Sequence, residues 1–339
     1  MLGMGIIMLK ENKSVLIKKN VAGFQKFLAL STLFILYIFF AIFGNNFFSV
    51  ATLINILDSS YYIGFLALGM TFVIITGGIN LASGTIMMCS ALIGGVAYNV
   101  WHWPISLSLV LIFFVSTTFG FVNGILIAKL KLPPFIATLG IMSITMGLGA
   151  IISRVMTMRY PTVTDPDGWF KFAFYKTSGG FPIGAVWLAI FLIIAFIILN
   201  KTIIGRYTFA IGSNEEAARL SGVKVDRWKI VVYTIDGFFG GLAAIMYAAA
   251  YTSIIPSTGN GLELYAISGV VIGGTSMSGG IGTVSGTLIG VFIMSVLKQG
   301  LMAMNLQGQW QTFFTGFVVI GAVLLDIYRN KKANKVKKD

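Results

Sequence analysis

ISLSLVLIFFVSTTFGFVNGILIA, residues 105–128, contains no charged side chain in 24 consecutive positions. Pro104 precedes this stretch and Lys129 follows it. At a rise of 1.5 Å per residue, a helix of this length measures about 36 Å, whereas the hydrocarbon core of a bilayer is about 30 Å thick. The stretch therefore predicts a helix that crosses a membrane.

Nine further apolar runs have a similar character and are delimited by glycine, proline or charge. They occupy residues 27–44, 61–76, 85–100, 134–153, 183–200, 230–250, 264–280, 284–304 and 310–328. Charged residues make up 10% of the 339 residues, whereas about 25% are charged in soluble domains. The 40 glycines favour closely packed helices with several breaks. We expect an all-α, polytopic membrane protein with about ten transmembrane helices, some of them interrupted by glycine.

Basic residues are distributed unevenly around these spans. The chain has 24 Lys and Arg against 11 Asp and Glu, and most of the basic residues share one side if the N-terminus is cytoplasmic. Because Lys and Arg are retained in the cytoplasm, we expect an N-in, C-in orientation and no nucleic-acid partner. The predicted organisation is a basic cytoplasmic tail (1–26), a transmembrane domain (27–328) with a cytoplasmic loop (201–229) and an outer loop (154–182), and a second basic tail (329–339).

Residue types that support several kinds of chemistry are scarce. Cys89 is the single cysteine and His102 the single histidine, which argues against a multi-cysteine metal site and against a Ser-His-Asp triad. No Gly-Lys dipeptide occurs, so the chain lacks a P-loop for nucleotide phosphates. We expect no catalytic residue, no metal site and no bound cofactor, and an energy source on another protein.

The cytoplasmic loop 201–229 contains SNEEAARLSG, residues 213–222, which predicts a short helix. Ser213 and Glu216 fit a capping box, and Gly222 fits a left-handed C-terminal cap. A helix this short is marginal alone in water, so another surface should hold it. The spacing is equally compatible with a surface of the same protein and with a surface of a partner.

Several motifs resemble the ribose-type permeases of bacterial ABC sugar importers. They are GMTFVIITGGINLASG (69–84), FGFVNGILIAKLKLPPFIATLG (119–140), NEEAARLSGVKVDRWK (214–229), PSTGNGLEL (256–264) and AISGVVIGGTSMSGGIGTVSGTLIG (266–290). The resemblance covers about residues 60–328. It implies a multi-pass subunit of the bacterial inner membrane that pairs with a second copy around a central pathway and works by alternating access. It also implies an extracytoplasmic solute-binding protein that delivers a sugar, and a cytoplasmic ABC ATPase that carries ATP and Mg²⁺.

By this resemblance the short helix is a coupling helix that inserts into the ATPase. The residues implied in coupling are Ser213, Asn214, Glu215, Glu216, Ala217, Ala218, Arg219, Leu220 and Gly222. Within this set the alanines, the leucine and the glycine are expected to pack, and the charged residues to orient the helix. The helix would transmit nucleotide-driven closure to the spans on either side of it.

Polar residues near glycines or within spans are the candidates for a substrate path. They are Asn80, Ser83, Asn123, Asp236, Thr275 and Ser276. Neutral amides and hydroxyls suit a polyol because they donate and accept hydrogen bonds without a strong charge. Tight turns and helix packing are equally compatible with these residue types, and for Asp236 a structural polar contact is the favoured interpretation.

Two further interpretations remain open. An ionised aspartate inside a span costs on the order of 3 kcal/mol, so Asp236 should face a cavity or a partner. The alternative function is therefore an ion-coupled secondary transporter that uses Asp236. The outer loop 154–182 is rich in aromatic residues, which fit either an interfacial belt or a docking surface for an external partner.

Overall fold

The computed structural model describes residues 28–176 and 179–335, with side chains described as far as Tyr328. Within these residues it contains thirteen helices and one pair of two-residue strands. The helices are α1 Leu28–Phe43, α2 Val50–Ile75, α3 Ser83–Asn99, α4 Ile105–Ala128, α5 Pro134–Ile152, α6 Trp169–Phe174, α7 Ile183–Lys201, α8 Ile203–Ser213, α9 Glu215–Leu220, α10 Val225–Tyr251, α11 Leu262–Ile272, α12 Val284–Ala303 and α13 Gly308–Lys335. The strands β1 Met158–Arg159 and β2 Ser253–Ile254 pair antiparallel.

The centre of the bundle is formed by α2 and α10, which pack against each other, while α10 also packs along α4. Gly120 of α4 and Gly237 of α10 face each other so closely that a Cβ on Gly237 would lie 2.9 Å from the Gly120 Cα. The Ser116 hydroxyl donates a hydrogen bond to the Gly237 carbonyl at 2.8 Å. Small residues thus allow two apolar helices to approach closely, as the glycine content predicts.

The outward faces of α4, α5, α7 and α13 are apolar. Phe114, Ile144, Ile193 and Leu324 are examples of side chains that are more than half exposed on these helices. Seven of the described helices are long and apolar enough to cross a membrane, and extended apolar surface is expected where lipid rather than water surrounds the protein. The expectation of an all-α, polytopic membrane protein is confirmed.

Two helix breaks lie inside the bundle. The turn between α2 and α3 carries Asn80, which is 1% exposed. The helix α11 has eleven residues, a length of about 16 Å, which is too short to cross a bilayer. It ends at Gly273, inside the run 264–280 that the sequence predicts as one span, and Gly274 follows with a φ of 97°. Irregular backbone is tolerated inside a membrane protein where protein surrounds it.

Some helix boundaries differ from the sequence expectation. Sequence analysis began the seventh span at residue 230, but α10 begins at Val225, and the predicted loop 201–229 is largely helical. The last helix, α13, continues to Lys335, into the predicted tail 329–339. Hydropathy marks the part of a helix that lies in lipid, whereas hydrogen bonding continues into polar turns. The predicted tail 1–26 lies outside the described residues.

Candidate functional site

The predicted short helix is present as α9, but its N-terminal cap differs from the expectation. Ser213 is the last residue of α8, and Asn214 adopts an extended backbone with a φ of −164°. The side-chain oxygen of Asn214 accepts a hydrogen bond from the Ala217 amide at 2.9 Å. The expected capping box between Ser213 and Glu216 is therefore wrong: because α8 continues through Ser213, Asn214 is the residue that can cap α9.

The C-terminal end of α9 agrees with the sequence expectation. Gly222 has a φ of 84°, which glycine adopts without steric cost. Its amide donates to the Arg219 carbonyl, and the Val223 amide donates to the Ala218 carbonyl, each at 3.1 Å. These two bonds form a Schellman motif, which ends α9 and turns the chain towards α10.

One face of α9 packs on its own protein and another face is free. Ala218 is buried in a small apolar cluster with Ile211 of α8 and Val225 of α10. In contrast, Leu220 is 85% exposed, the largest exposed fraction among the described large hydrophobic side chains, and Glu216 is exposed beside it. Both surfaces that sequence analysis considered are therefore relevant: the same protein holds α9, and the outward face remains available.

Ion pairs connect α9 to its surroundings. Lys229 of α10 lies 2.7 Å from Glu215, and Arg219 lies 3.4 Å from Glu215. Asp226 of α10 lies 3.1 Å from Arg219 and 2.7 Å from Lys131, which precedes α5. Burial raises the pKa of Glu215, but hydrogen bonds from Lys229 and Arg219 outweigh this effect and bring the pKa below its ordinary value. We call these five residues the ion-pair chain; it links α9 to α10 and to the loop between α4 and α5.

Three of the six candidate path residues meet inside the bundle. Asn80 donates from Nδ2 to Oδ2 of Asp236 on α10 at 2.5 Å, and Asn123 of α4 donates to Oδ1 of Asn80 at 3.4 Å. The same Oδ1 accepts from the Ala82 amide at 2.9 Å, immediately before α3. We call Asn80, Asn123 and Asp236 the buried polar cluster, because each is at most 2% exposed.

Asp236 lies near the middle of α10. Because the helix begins at Val225, Asp236 is about 16 Å along it, rather than the 9 Å or so expected from a start at residue 230. Among the described residues no Lys or Arg forms an ion pair with Asp236, and Oδ1 has no hydrogen-bond partner. The carboxyl group faces Asn80 and the neighbouring helices instead of lipid, and it joins α10 to the α2–α3 turn.

The other three candidates are also buried. Ser83 borders the cluster, since its hydroxyl donates to the Asn80 carbonyl at 3.5 Å. Thr275 and Ser276 lie in the loop between α11 and α12, where the Ser276 hydroxyl donates to Oδ2 of Asp326 on α13 at 3.2 Å. The structure thus brings four of the six predicted residues together and separates Thr275 and Ser276 from them.

A second polar group, at the opposite end of the bundle from α9, was missed in the sequence analysis. We call this end the α6 end, because the last turn of α10 meets α6 there. Lys176 forms an ion pair with Asp58 of α2 at 2.9 Å, and Lys298 of α12 donates to the Tyr62 hydroxyl at 2.6 Å. Lys298 lies within an apolar run of the sequence, and Asp58 lies just before one. Ionisable residues inside membrane spans are candidates for functional sites.

The arrangement of these helices defines the class of protein. The helices form a bundle of apolar spans with breaks in its interior, and a separately capped helix lies at one end of the bundle. This is the arrangement of a multi-pass membrane protein. No group of three His, Cys, Asp or Glu that could hold a metal ion is present in residues 28–176 and 179–335. Residues 52–323 match the family described as "Branched-chain amino acid transport system / permease component". The chain belongs to this family of ABC-transporter permease subunits, which are multi-pass proteins of the inner membrane.

Curated relatives extend over nearly the whole chain. The ribose import permease protein RbsC of Bacillus subtilis (strain 168) is 38% identical over 304 residues, covering 89% of this chain and 92% of that protein. The fructose import permease protein FrcC of Rhizobium meliloti is 34% identical, with 87% and 83% covered. The autoinducer 2 import system permease protein LsrC of Photorhabdus luminescens is 31% identical, with 91% of each chain covered. The family resemblance inferred from the motifs is confirmed.

Proposed function

We propose that this protein is the permease subunit of an ATP-driven importer that moves ribose or a similar monosaccharide into the cytoplasm. The observation that carries the proposal is α9, which is capped at both ends, tied to α10 by the Glu215–Lys229 ion pair and exposes Leu220 away from the bundle. Caps at both ends stabilise a short helix, and a helix that keeps its shape can transmit a displacement from a partner. Closure of a partner around Leu220 would therefore move α10.

The sugar substrate is supported by the relatives. Relatives at 38% and 34% identity are named import permeases for ribose and for fructose. In the proposed importer a solute-binding protein on the outer side selects the sugar and delivers it to the permease. The permease then needs groups that donate hydrogen bonds to the sugar hydroxyls and accept hydrogen bonds from them.

The proposed topology has ten transmembrane helices with both termini in the cytoplasm. The seven long spans would be completed by the shorter helices α1 and α3 and by the segment that contains α11, in which α11 itself would cross only part of the bilayer. In this arrangement α9 and the loop between α4 and α5 lie in the cytoplasm with their basic residues, as the positive-inside rule requires. The loop 154–182 lies outside, where its aromatic residues would face the membrane interface or the solute-binding protein.

The proposed partner of α9 is a cytoplasmic ABC ATPase that binds ATP and Mg²⁺. Glu216, Ala217 and Leu220 would face this ATPase, because all three are exposed. Most of the remaining coupling residues would keep the helix in place: Asn214 caps its start, Glu215 and Arg219 pair with residues of α10, Ala218 packs beneath it and Gly222 ends it. Ser213 ends α8 immediately before it. A second copy of this chain would complete the pathway, and cycles of ATP binding and hydrolysis would drive alternating access.

The buried polar cluster is proposed to act as a joint between helices. Asn80 connects the α2–α3 turn to Asp236 on α10 and to Asn123 on α4. A displacement of α10 by α9 would therefore reach the α2–α3 turn directly. Direct contact between a sugar and any of the six buried candidates would require the surrounding helices to separate.

One observation favours a second candidate function. Oδ1 of Asp236 is buried and has no hydrogen-bond partner among the described residues, which is the situation expected for a carboxyl group that binds a proton or a cation during transport. In an ion-coupled secondary transporter, uptake would follow the ion gradient and would need no ATPase.

Transport of radiolabelled ribose by proteoliposomes distinguishes these two functions. The chain is reconstituted with its ABC ATPase and binding protein, and ATP is supplied on the side of the ATPase. We expect uptake that requires ATP and persists in the presence of a protonophore. Uptake by the permease alone, driven by a proton or sodium gradient, would contradict the proposal.

A further inference from the structure

At the α6 end, Lys298 carries a positive charge that no described carboxylate balances. Its Nζ donates to the Tyr62 hydroxyl at 2.6 Å and lies 5.3 Å from the centre of the Tyr62 ring and 5.9 Å from the centre of the Tyr251 ring. Aromatic faces stabilise an ammonium group at such distances. An ammonium has three N–H donors, and the described contacts give Lys298 one hydrogen bond, so two donors remain for another oxygen-bearing group.

The rings around Lys298 form an aromatic group of their own. Tyr247 packs against Tyr62 with ring centres 5.2 Å apart and against Tyr251 with ring centres 4.5 Å apart. Tyr62 is 1% exposed, but Tyr251 is 40% exposed. The aromatic group is therefore buried at Tyr62 and accessible from outside at Tyr251. An aromatic face carries partial negative charge and attracts polarised hydrogens, as found on the C–H face of a sugar.

Polar donors and acceptors lie close to these rings. Gln299, next to Lys298 on α12, donates to the Ser59 hydroxyl at 2.6 Å. Lys171 of α6 donates to the Thr252 hydroxyl at 2.7 Å, one residue beyond Tyr251. Amide, hydroxyl and ammonium groups thus lie beside an open aromatic ring at one end of the bundle, a combination that can bind the hydroxyls and the apolar face of one monosaccharide together.

We infer that Tyr62, Tyr247, Tyr251, Lys298 and Gln299, the tyrosine–lysine cluster, form the contact site through which the permease receives the monosaccharide. Lys298 would donate to a sugar hydroxyl and Tyr251 would pack against the ring carbons. The inference rests on the proposed importer function and adds the residues that handle the sugar at the α6 end. A lysine that served packing alone within an apolar helix would be expected to pair with an acid. Asp58 of α2, a carboxylate at this end, is paired with Lys176 instead.

The test uses the complete transporter with [14C]ribose as the probe. Lys298→Met keeps an unbranched side chain, one atom shorter, but removes the charge and the hydrogen-bond donors. We expect ribose uptake to fall about tenfold, as for the loss of a hydrogen bond from a charged group, while ATP hydrolysis stimulated by the binding protein is retained. Lys298→Arg should restore most of the uptake. Lys201→Met, at the exposed end of α7, is the control and should transport normally.

A purely structural role for Lys298 would lower the amount of folded transporter and reduce uptake and ATP hydrolysis in equal proportion. That result, or normal uptake by Lys298→Met, overturns the contact site and leaves the importer function standing. If Lys298→Met does not fold, Tyr251→Leu at the more exposed ring provides the test: a fall in ribose moved per ATP supports the site, and an unchanged ratio overturns it. Absence of ATP-dependent uptake by the unsubstituted transporter overturns the importer function itself.

Discussion

The Nζ of Lys229 lies 2.7 Å from Oε2 of Glu215, so that the second turn of α10 is tied directly to the first residue of α9. A displacement of α9 therefore acts on the helix that carries Asp236 at its middle. Ion pairs at an exposed surface contribute about 0–1 kcal/mol each to stability. The main consequence of this contact is therefore that it connects the two helices, rather than that it stabilises them.

Asp226 is the residue through which the ion-pair chain reaches the loop between α4 and α5. Asp226→Asn should weaken the links to Lys131 and Arg219 while changing the free energy of unfolding by no more than about 1 kcal/mol. We expect the amount of ribose transported per ATP to fall about threefold, because α9 would then move without that loop. Parallel assays of uptake and ATP hydrolysis measure this ratio. The control is Lys201→Gln, which removes an exposed charge at the end of α7, outside the ion-pair chain. An equal ratio in both variants would refute the role of Asp226.

Asn214 rather than Ser213 should determine the stability of α9. Removing an N-terminal cap costs about 1 kcal/mol, so Asn214→Ala should make the amides of α9 exchange with solvent about fivefold faster. Hydrogen–deuterium exchange followed by mass spectrometry measures this rate. Ser213→Ala is the matched control and should leave this exchange rate unchanged. Faster exchange in Ser213→Ala than in Asn214→Ala would contradict the cap at Asn214 and favour the capping box that the sequence predicts.

Gly237 should tolerate no side chain. Gly237→Ala inserts a methyl group against the Ser116 carbonyl and Gly120, and overpacking of this kind costs about 1–3 kcal/mol. The melting temperature in detergent should therefore fall. Gly140 of α5 has open space around it, so Gly140→Ala should leave the melting temperature unchanged or raise it. Equal effects of the two substitutions would argue against tight α4–α10 packing.

Substitutions at Asp236 distinguish its two possible roles, as a structural contact between helices and as an ion-binding site. Asp236→Asn retains an oxygen that can accept the hydrogen bond from Asn80, so we expect stable protein and ATP-dependent uptake close to normal. Asp236→Leu leaves the Asn80 amide unsatisfied, which costs about 1–3 kcal/mol. Thermal denaturation and ribose uptake measure both effects. Stable Asp236→Asn protein without uptake would instead support the ion-coupled transporter.

Much of the fold follows from composition and hydropathy, because lipid requires long apolar helices whose backbone groups are satisfied internally. The short helix α9 was also predictable, since a glycine such as Gly222 readily adopts the left-handed backbone that ends a helix. The residue that caps its start was not predictable from the sequence, because Ser213 and Asn214 are both good N-terminal caps. Which of them caps α9 depends on where α8 ends, and tertiary packing determines that position.

The candidate site was only partly predictable for a similar reason. Asn80 and Asp236 are 156 residues apart in the chain, and no local pattern indicates that they meet. The pairing of Lys298 with tyrosines of α2 and α10 likewise depends on how three helices pack. Sequence spacing identifies an ionisable residue inside a span, whereas its partner is defined by the tertiary structure.

The binding of the ABC ATPase to a Leu220→Glu variant tests the coupling role of α9 most directly. Leu220 is 85% exposed, so the substitution should leave membrane insertion and the melting temperature unchanged. Val163→Glu, an exposed substitution in the loop 154–182 at the other end, is the control. We predict that Leu220→Glu fails to co-purify with the ATPase and shows no ATP-dependent ribose uptake, whereas Val163→Glu retains both. Normal association and uptake in Leu220→Glu would contradict the account.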